Sequence, residues 1–289
     1  MRFTFLGTGT SAGVPTIGCE CAVCTSTDPR DQRLRTGAAL EFVDASGHPR
    51  TILIDTTPDL RTQALRARLA RCDAVVYTHN HVDHTFGLDE VRRFNVVQKS
   101  PIDIYADEHT TQHLRRVYTH IFDAHKNVND SFVATLIPHI IDHDRAFELY
   151  GVRFTPIPLL HGRLPILGFR IETVSGADHG FLPMAYCTDV SGIPPESWRL
   201  LRGVRTLVLD ALRRRKHPTH FALDESVSTA ARVGAARTYF VHMAHDLGHE
   251  ATNAELPDGV ELAHDGLSIG DANENAGALR PPRAVADPD

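Results

Sequence analysis

The sequence has few lysines and no long apolar run. Its 30 positively charged side chains include only three lysines, Lys99, Lys126 and Lys216. The others are arginines, which suit bidentate contact with phosphate or carboxylate, although a base-composition bias of the genome would give the same excess. No segment approaches the roughly eighteen apolar residues that a membrane helix needs, so no membrane partner is expected. The opening residues, "MRFTFLGTGTSAG", lack the apolar centre of a signal peptide, so a cytoplasmic location is expected.

An excess of positive charge and a disulfide framework are also missing. The formal net charge is −6, which argues against nucleic acid as a partner, because such proteins usually present a basic face. The five cysteines are an odd number, and three of them fall within residues 18–24, "GCECAVC". In a chain of 289 residues this pattern favours a metal-binding cluster over disulfides. With 42% hydrophobic and 23% charged residues, the composition is that of a globular protein.

Short apolar segments alternate with turn signals and with amphipathic segments along the chain. Strands interleaved with helices in this way predict a layered α/β architecture. The continuous apolar run of residues 73–78, "DAVVYT", is typical of a strand buried on both faces. The predicted strands cover residues 2–6, 38–43, 51–55, 73–78, 102–106, 133–138, 144–149, 152–158, 166–173, 183–187, 206–210 and 238–242, and the predicted helices cover 58–71, 108–122, 195–203 and about 223–234.

The chain shows neither an internal repeat nor a convincing linker. Residues 1–269 are therefore predicted to form one domain. The remaining residues, 270–289, lack apolar periodicity and are predicted to be a disordered tail.

Metal-capable side chains are concentrated in residues 78–84, "THNHVDH", directly after a predicted buried strand. Two ligands of one ion, His79 and His81, are two residues apart on an extended segment and can point the same way. Asp83 and His84 follow where the chain turns, and would serve a second ion. Imidazole with carboxylate suits zinc, manganese or iron, and a solvated histidine-rich loop is the alternative. Three further candidates follow later predicted strands: His161, Asp189 and His242.

The segment resembles the H-x-H-x-D-H signature of the metallo-β-lactamase superfamily, in which later single ligands come in the order His, Asp, His. The resemblance implies an αββα sandwich with two divalent ions, manganese or zinc, at one edge between the sheets. It also implies that Asp55, in "LIDTTPD", supports the ligand loop. By the same resemblance Asp189 would bridge both ions. One shell would contain His79, His81 and His161, and the other Asp83, His84 and His242.

The cysteine cluster fits one tetrahedral zinc ion. Cys19, Cys21 and Cys24 supply three thiolates in a C-x-C-x-x-C pattern, and a fourth ligand must come from elsewhere. Three unrelated buried thiols are the alternative. The chain also resembles the PhnP family of phosphoribosyl cyclic phosphodiesterases, which has this cluster after its first strand and a histidine three residues beyond the last active-site ligand. That position is His245, so the resemblance implies a structural zinc site. His249 has no assigned role.

The segment "RRRKHPTHF", residues 213–221, contains two candidates for a catalytic histidine. The resemblance implies one histidine that contacts the substrate phosphate and protonates the leaving oxygen. His220 fits better than His217 by its distance from His242, and a histidine suits this role because its pKa lies near working pH. The resemblance further implies catalytic roles for Asp189 and Asp83. The basic run before His217 is either an electrostatic funnel for an anion or a solvated surface.

The predicted function is a binuclear metal-dependent hydrolase, a phosphodiesterase that acts on a small cyclic phosphate ester such as phosphoribosyl 1,2-cyclic phosphate. Its expected partner is this small substrate, and a homodimer is compatible with the family. Three alternatives stay open: an RNA-processing nuclease of the tRNase Z type, a lactone or thioester hydrolase, and a non-catalytic carrier like PqqB. No long insertion for an RNA-clamping arm is visible, and a complete ligand set favours an enzyme over a carrier.

Overall fold

The described part of the chain contains fourteen strands, arranged in two sheets whose inner faces pack against each other. The computed structural model describes residues 1–123 and 132–270. The strands are β1 (Arg2–Gly7), β2 (Gly37–Val43), β3 (Pro49–Ile54), β4 (Ala74–Val76), β5 (Ile102–Ala106), β6 (Leu136–Ile140), β7 (Phe147–Leu149), β8 (Val152–His161), β9 (Leu164–Thr173), β10 (Met184–Cys187), β11 (Thr206–Asp210), β12 (Arg237–Val241), β13 (Val260–Leu262) and β14 (Ser268–Gly270).

Short helices connect the strands and cover the outer faces of both sheets. In order, they are α1 (Leu60–Ala67), α2 (Val82–Thr85), α3 (Arg92–Gln98), α4 (Glu108–Val117), α5 (Thr119–Phe122), α6 (Trp198–Leu201), α7 (Leu223–Val233) and α8 (His249–Asn253), with 3₁₀ turns at Pro29–Asp31, Leu88–Val91 and Pro195–Ser197. None of the helices in the described ranges is long and apolar enough to cross a membrane.

The two sheets have matching topologies. The first has the order β14-β1-β2-β3-β4-β5-β6 and the second the order β13-β12-β11-β10-β9-β8-β7. In each, one half is antiparallel, and the other half, β3 to β6 or β10 to β13, is parallel. Ligand sites in such sheets form beyond the carboxyl ends of parallel strands, where side chains of neighbouring strand ends converge. Both parallel halves contribute to the site described below.

Aromatic side chains fill the space between the sheets. Phe3 and Phe5 of β1 project into this layer, where Phe3 lies 6.1 Å from Tyr186 of the opposite sheet, measured between ring centroids. The residue between them, Thr4, is buried on the opposite face, as the alternation of a strand requires. Two further apolar clusters lie on the outer faces under the helices. The layers are therefore helix, sheet, sheet and helix, which confirms the predicted αββα sandwich.

Several predicted element bounds were wrong. The helix predicted over 58–71 covers only Leu60–Ala67, because Arg68 adopts a left-handed conformation with φ 55° and ends it. The helix predicted over 108–122 is broken at Tyr118, which has ψ 47°. The helix predicted over 195–203 is a 3₁₀ turn followed by the single turn α6.

The carboxyl-terminal part of the chain contains strands that the sequence patterns did not indicate. The strands β13 and β14 are three residues each, too short for a periodic signal. Gly270 was assigned to the tail but pairs with Arg2 as the last residue of β14. Residues 271–289, the rest of the predicted tail, lie outside the described residues.

Candidate metal centre

Three residues that follow strand ends have backbones in the left-handed region. Asp55 follows β3 with φ 64°, Asp189 lies shortly after β10 with φ 60°, and His242 follows β12 with φ 61°. A positive φ is unfavourable for residues with a Cβ atom, and such positions cluster at functional sites. The turns they make bring Asp189 and His242 into one cluster and place Asp55 behind it, where it pairs with His84.

Asp83, His84, Asp189 and His242 form a tight cluster of buried ligand-type atoms. His84 Nε2 lies 3.4 Å from Asp83 Oδ2 and 3.2 Å from Asp189 Oδ2. His242 Nε2 lies 3.3 Å from Asp83 Oδ2 and 3.2 Å from Asp189 Oδ1. These four residues were predicted to lie together, and the structure brings them together.

His79, His81 and His161 form a second group on the other side of Asp189. Their ligand-type nitrogens all lie within 4.8 Å of one another, and His81 is the least buried of the three. His79 Nε2 lies 4.0 Å from Asp189 Oδ1, so Asp189 stands between the two groups. This is the position expected of a carboxylate that bridges two ions.

The spacing of the ligand atoms matches metal coordination, and some of these atoms have no hydrogen-bond partner in the described part of the chain. His79 Nε2 and His84 Nε2 are buried without a hydrogen-bond partner among the described residues, which is costly unless something else satisfies them. Two ligand atoms on one zinc or manganese ion lie about 3.0–3.4 Å apart, given bond lengths near 2.1 Å and angles between 90° and 109°. The nitrogen–oxygen separations around Asp189 and Asp83 are of that size.

A layer of hydrogen bonds orients the ligand side chains. Asp55 Oδ2 accepts from His84 Nδ1 at 2.8 Å, and both carboxylate oxygens accept from Thr78. The Oγ1 of Thr78 also lies 3.0 Å from His79 Nδ1. On the far side, the carbonyl oxygen of Thr219 accepts from His161 Nδ1 at 2.6 Å. Each imidazole is thereby turned so that its other nitrogen faces the crevice, as metal-binding histidines require.

The cluster is electrostatically balanced by its own members. Burial would raise the pKa of Asp83, but the charges of His84 and His242 outweigh it and lower that pKa. The same opposition holds the pKa of Asp189 well below its usual range. Burial opposes charge on His242, but Asp189 and Asp83 raise its pKa to about 8. Such strongly shifted groups in a crevice are typical of a functional site.

His220 lies beside the cluster and is held by a buried carboxylate. Its Nδ1 lies 2.7 Å from Asp210 Oδ2, at the end of β11. Its ring stacks on His242 with 4.8 Å between centroids and 11° between planes, and lies 4.4 Å from His161. His217 lies on the far side of His220 from the cluster, with 5.3 Å between the two ring centroids. Of the two histidines weighed from the sequence, His220 is therefore the one that reaches the crevice.

The cysteine cluster forms a separate site with His245. His245 Nδ1 lies 3.1 Å from Cys19 Sγ, 3.3 Å from Cys21 Sγ and 3.5 Å from Cys24 Sγ. A tetrahedral zinc site with the usual bond lengths places sulfur and nitrogen about 3.6 Å apart, so the four side chains can hold one zinc ion. The amide of Thr16 donates to Cys24 Sγ at 3.3 Å and supports its thiolate form.

A buried arginine fixes the loop that carries His245. The side chain of Arg33 is fully buried and donates to the carbonyl oxygens of Ala244, at 3.0 Å, and Leu247. Its partner Asp31 also accepts from the amide of His249, the first residue of α8. His249 is thus part of the packing beneath the cysteine site and lies in neither cluster.

The family follows from this fold together with a sequence match. A family model described as a β-lactamase superfamily domain matches residues 50–243, a span that runs from before Asp55 to just past His242. The chain belongs to the metallo-β-lactamase superfamily. The expected resemblance is confirmed. The candidate ligands His161, Asp189 and His242 come in the order that the resemblance implies.

Named relatives of this superfamily member differ in what they are said to do. A structure described as a new diphosphatase from the PhnP family is 44% identical, with a TM-score of 0.82, and the match covers 94% of this chain and 98% of that one. A Porphyromonas gingivalis protein named octanoyltransferase is 34% identical over 92% of this chain, which spans only 51% of that protein. Coenzyme PQQ synthesis protein B of Methylobacterium radiotolerans is 25% identical, over 93% of this chain and 99% of its own length.

The superfamily fold and the diphosphatase neighbour support a metal-dependent hydrolase. Proteins of this fold bind divalent metals, and a zinc-bound PqqB structure shares the fold with this chain at 20% identity. Two supporting residues of the hydrolase site escaped the sequence reasoning. Asp210 is the last residue of β11, close to a strand end as Asp189 and His242 are, and this position was the available signal. Thr219 acts through its backbone carbonyl, which no residue pattern reveals.

Proposed function

We propose that this protein is a binuclear metal-dependent phosphodiesterase that acts on a small cyclic phosphate ester, such as phosphoribosyl 1,2-cyclic phosphate. The observation that carries the proposal is the place of Asp189 between two ligand groups, with the paired Asp210 and His220 at their side. Two cations on one side of a phosphoryl group and a proton donor on the other are the parts that in-line displacement needs.

The two ligand groups would share Asp189. His79, His81 and His161 would complete one shell, and Asp83, His84 and His242 the other. Divalent ions bound there would polarise the phosphoryl oxygens and supply a hydroxide near neutral pH. The chain's own residues do the rest: Asp189 and Asp83 hold negative charge at the reacting centre, and Asp55 and Thr78 keep His84 and His79 in register.

His220 is assigned to the leaving oxygen. Its Nδ1 is paired with Asp210, so its Nε2 is the nitrogen left to face the substrate. Burial and the neighbouring His242 lower the pKa of His220 to about 4, so its ring is neutral before substrate arrives. An anionic phosphate beside the ring favours the protonated form, and the carboxylate of Asp210 stabilises the imidazolium. The ring would take up a proton from solvent as the phosphate binds, and a proton would pass from Nε2 to the leaving oxygen as the P–O bond breaks.

A second candidate is hydrolysis of a phosphoanhydride bond. It is favoured by one specific observation, the 44% identity to a protein described as a diphosphatase. The same crevice serves both reactions, because each displaces an oxygen from a phosphorus that the cations hold. The two candidates differ only in the leaving group, an alkoxide or a phosphate.

The test is a substrate panel with zinc- and manganese-loaded protein, followed by ³¹P NMR for the phosphate compounds and by acid release for the lactone and the thioester. The panel contains phosphoribosyl 1,2-cyclic phosphate, ADP-ribose, a short RNA, a lactone and a thioester. Opening of the cyclic phosphate, lost in Asp189→Ala, supports the phosphodiesterase. Cleavage of ADP-ribose alone supports the diphosphatase. Turnover confined to the lactone or thioester, or no turnover with tight metal binding, contradicts both and favours an acyl hydrolase or a carrier.

A further inference from the structure

The basic segment before His220 lies against the turn between β8 and β9. That turn consists of Gly162 and Arg163, directly after His161, and Gly162 has φ 61°. A Cβ atom on Gly162 would lie 2.7 Å from Thr219 Cγ2 and 3.8 Å from the carbonyl oxygen of Pro218. The glycine therefore lets the two segments pack closely at the rim of the crevice.

Thr219 holds one histidine on each side of it. Its carbonyl oxygen accepts from His161 Nδ1, as described above, while its amide nitrogen and Oγ1 lie 3.4 Å and 3.1 Å from His217 Nδ1. An amide N–H can only donate, so His217 Nδ1 is the acceptor and the proton of the neutral ring is on Nε2. His217 Nε2 has no hydrogen-bond partner within residues 1–123 and 132–270. The outer histidine thus offers a fixed N–H donor at the rim.

Positive charge at this rim is only partly neutralised. Arg214 pairs with Glu255 at 2.7 Å, and Lys216 lies 3.8 Å from Glu225. Arg213 instead donates to the carbonyl oxygens of Arg215 and Lys216, at 3.1 Å and 3.0 Å, which curls the loop. The exposed side chains of Arg163 and Arg215 have no ion pair with any described residue.

We propose that His217 and Arg163 form a second anion subsite, which takes a phosphate group of the substrate other than the one being cleaved. The subsite rests on the proposed function, since it selects among phosphate esters at that same site. His217 lies one ring further from the cluster than His220, and Arg163 is two residues beyond His161. Arg215 adds attraction at longer range. The substrate class is therefore a phosphate ester or anhydride that carries a second phosphate.

The first test compares two cyclic esters that differ only in the remote group, ribose 1,2-cyclic phosphate and its 5-phosphorylated form. His217→Ala and Arg163→Ala should each raise KM about tenfold for the phosphorylated ester and leave the other ester unchanged, since a charge-assisted hydrogen bond is lost. Gln places an N–H where His217 Nε2 is, so His217→Gln should recover part of the loss and His217→Asn should not. Arg199→Ala, at an exposed arginine of α6, is the matched control.

The second test does not need turnover. The readout is calorimetric titration of metal-loaded protein. His217→Ala and Arg163→Ala should each reduce the affinity for pyrophosphate, or for ribose 5-phosphate, about tenfold more than they reduce the affinity for inorganic phosphate. Pyrophosphate reports a second phosphoryl group next to the first, and ribose 5-phosphate a remote one. The subsite would be overturned if the variants reduced the affinity for inorganic phosphate as much as the affinity for the other two ligands, or if they changed none of the three affinities. Loss of turnover on every ester with this binding difference intact would instead count against the proposed reaction alone.

Discussion

Asp210 and His220 form a buried pair in which the carboxylate oxygen and the imidazole Nδ1 are 2.7 Å apart. Burial raises the pKa of Asp210 well above its ordinary range, so its charge depends on a positive partner nearby. A histidine that becomes protonated during turnover is such a partner. The negative charge of Asp210 and the positive charge of a protonated His220 therefore stabilise each other.

The pair predicts a dependence on the leaving group. His220→Ala should lower kcat about a hundredfold or more for a cyclic sugar phosphate, whose alkoxide leaving group needs a proton. The loss should be much smaller for bis(p-nitrophenyl) phosphate, because p-nitrophenolate leaves unaided. Asp210→Asn should show the same pattern at lower amplitude. An equal loss on both classes of ester would mean that His220 only binds the phosphate.

The hydrogen bonds of Asp55 predict a metal-affinity effect without loss of a ligand. Asp55→Asn leaves one of its donors, Thr78 or His84, without an acceptor and should lower the free energy of unfolding by about 1–3 kcal/mol. Metal affinity should fall about 10- to 100-fold, as measured by competition with a chromogenic chelator. Asp73→Asn is the control, because Asp73 is also buried and accepts from the amide of Thr51 at 2.8 Å. It should reduce stability and leave metal affinity unchanged.

The cysteine cluster predicts a structural ion that is independent of the crevice. Cys21→Ser should remove about one zinc per chain and lower the melting temperature, because the ion joins the loop of residues 18–24 to His245. Cys72→Ser, at a thiol buried in the outer core, should leave the metal content unchanged. The readouts are atomic emission and thermal unfolding. Equal metal content in both variants would mean that the three thiols and His245 hold no ion.

His249 predicts a loss of stability in mild acid. Burial, with help from the charge of Arg30, lowers its pKa from 6.5 to about 4 in the folded state. Between these values the unfolded chain binds the proton and the folded chain does not, so the free energy of unfolding decreases as pH falls from about 6.5 to about 4. Above this window His249 contributes no pH dependence. The groups that set its pKa are Arg30, His264, Arg33 and Asp28.

Urea unfolding of the wild type and His249→Gln, at pH 7 and about pH 5, measures this contribution. The wild type should lose more stability than the variant between the two values, whatever the variant costs at pH 7. Protonation of the metal ligands affects both proteins equally and cancels in the difference. Parallel pH dependences would show that His249 titrates normally in the folded protein.

The fold was predictable because its central parallel strands, such as β4 and β11, are buried on both faces. The apolar runs at residues 73–78 and 206–210 are continuous and leave little choice of element. The helices were harder, because they are held by the sheets they cover and not by their own length. Tyr118 breaks one, with its hydroxyl bonded to the carbonyl oxygen of Thr85, and only tertiary contacts decide such a break.

The candidate ligands were predictable because each is a histidine or aspartate at the carboxyl end of a strand or in the segment that follows it. The residues that orient them were less visible. The supporting role of Asp55 was predicted only from the family resemblance, because a lone aspartate after a strand is common. Asp210 and Thr219 act through contacts across 10 and 58 residues of chain, and no local pattern encodes a partner at such distances. The left-handed backbone of Asp189 and His242 is likewise set by the fold around them.

The central claim is that this chain holds a shared pair of ions at Asp189 and a separate zinc at the cysteines. Metal content per chain, measured by atomic emission on wild type and Asp189→Ala after dialysis, tests it most directly. We expect about three ions in the wild type and about one in the variant, with zinc retained at the cysteine cluster. About one ion in the wild type, or an unchanged content in Asp189→Ala, would contradict the claim.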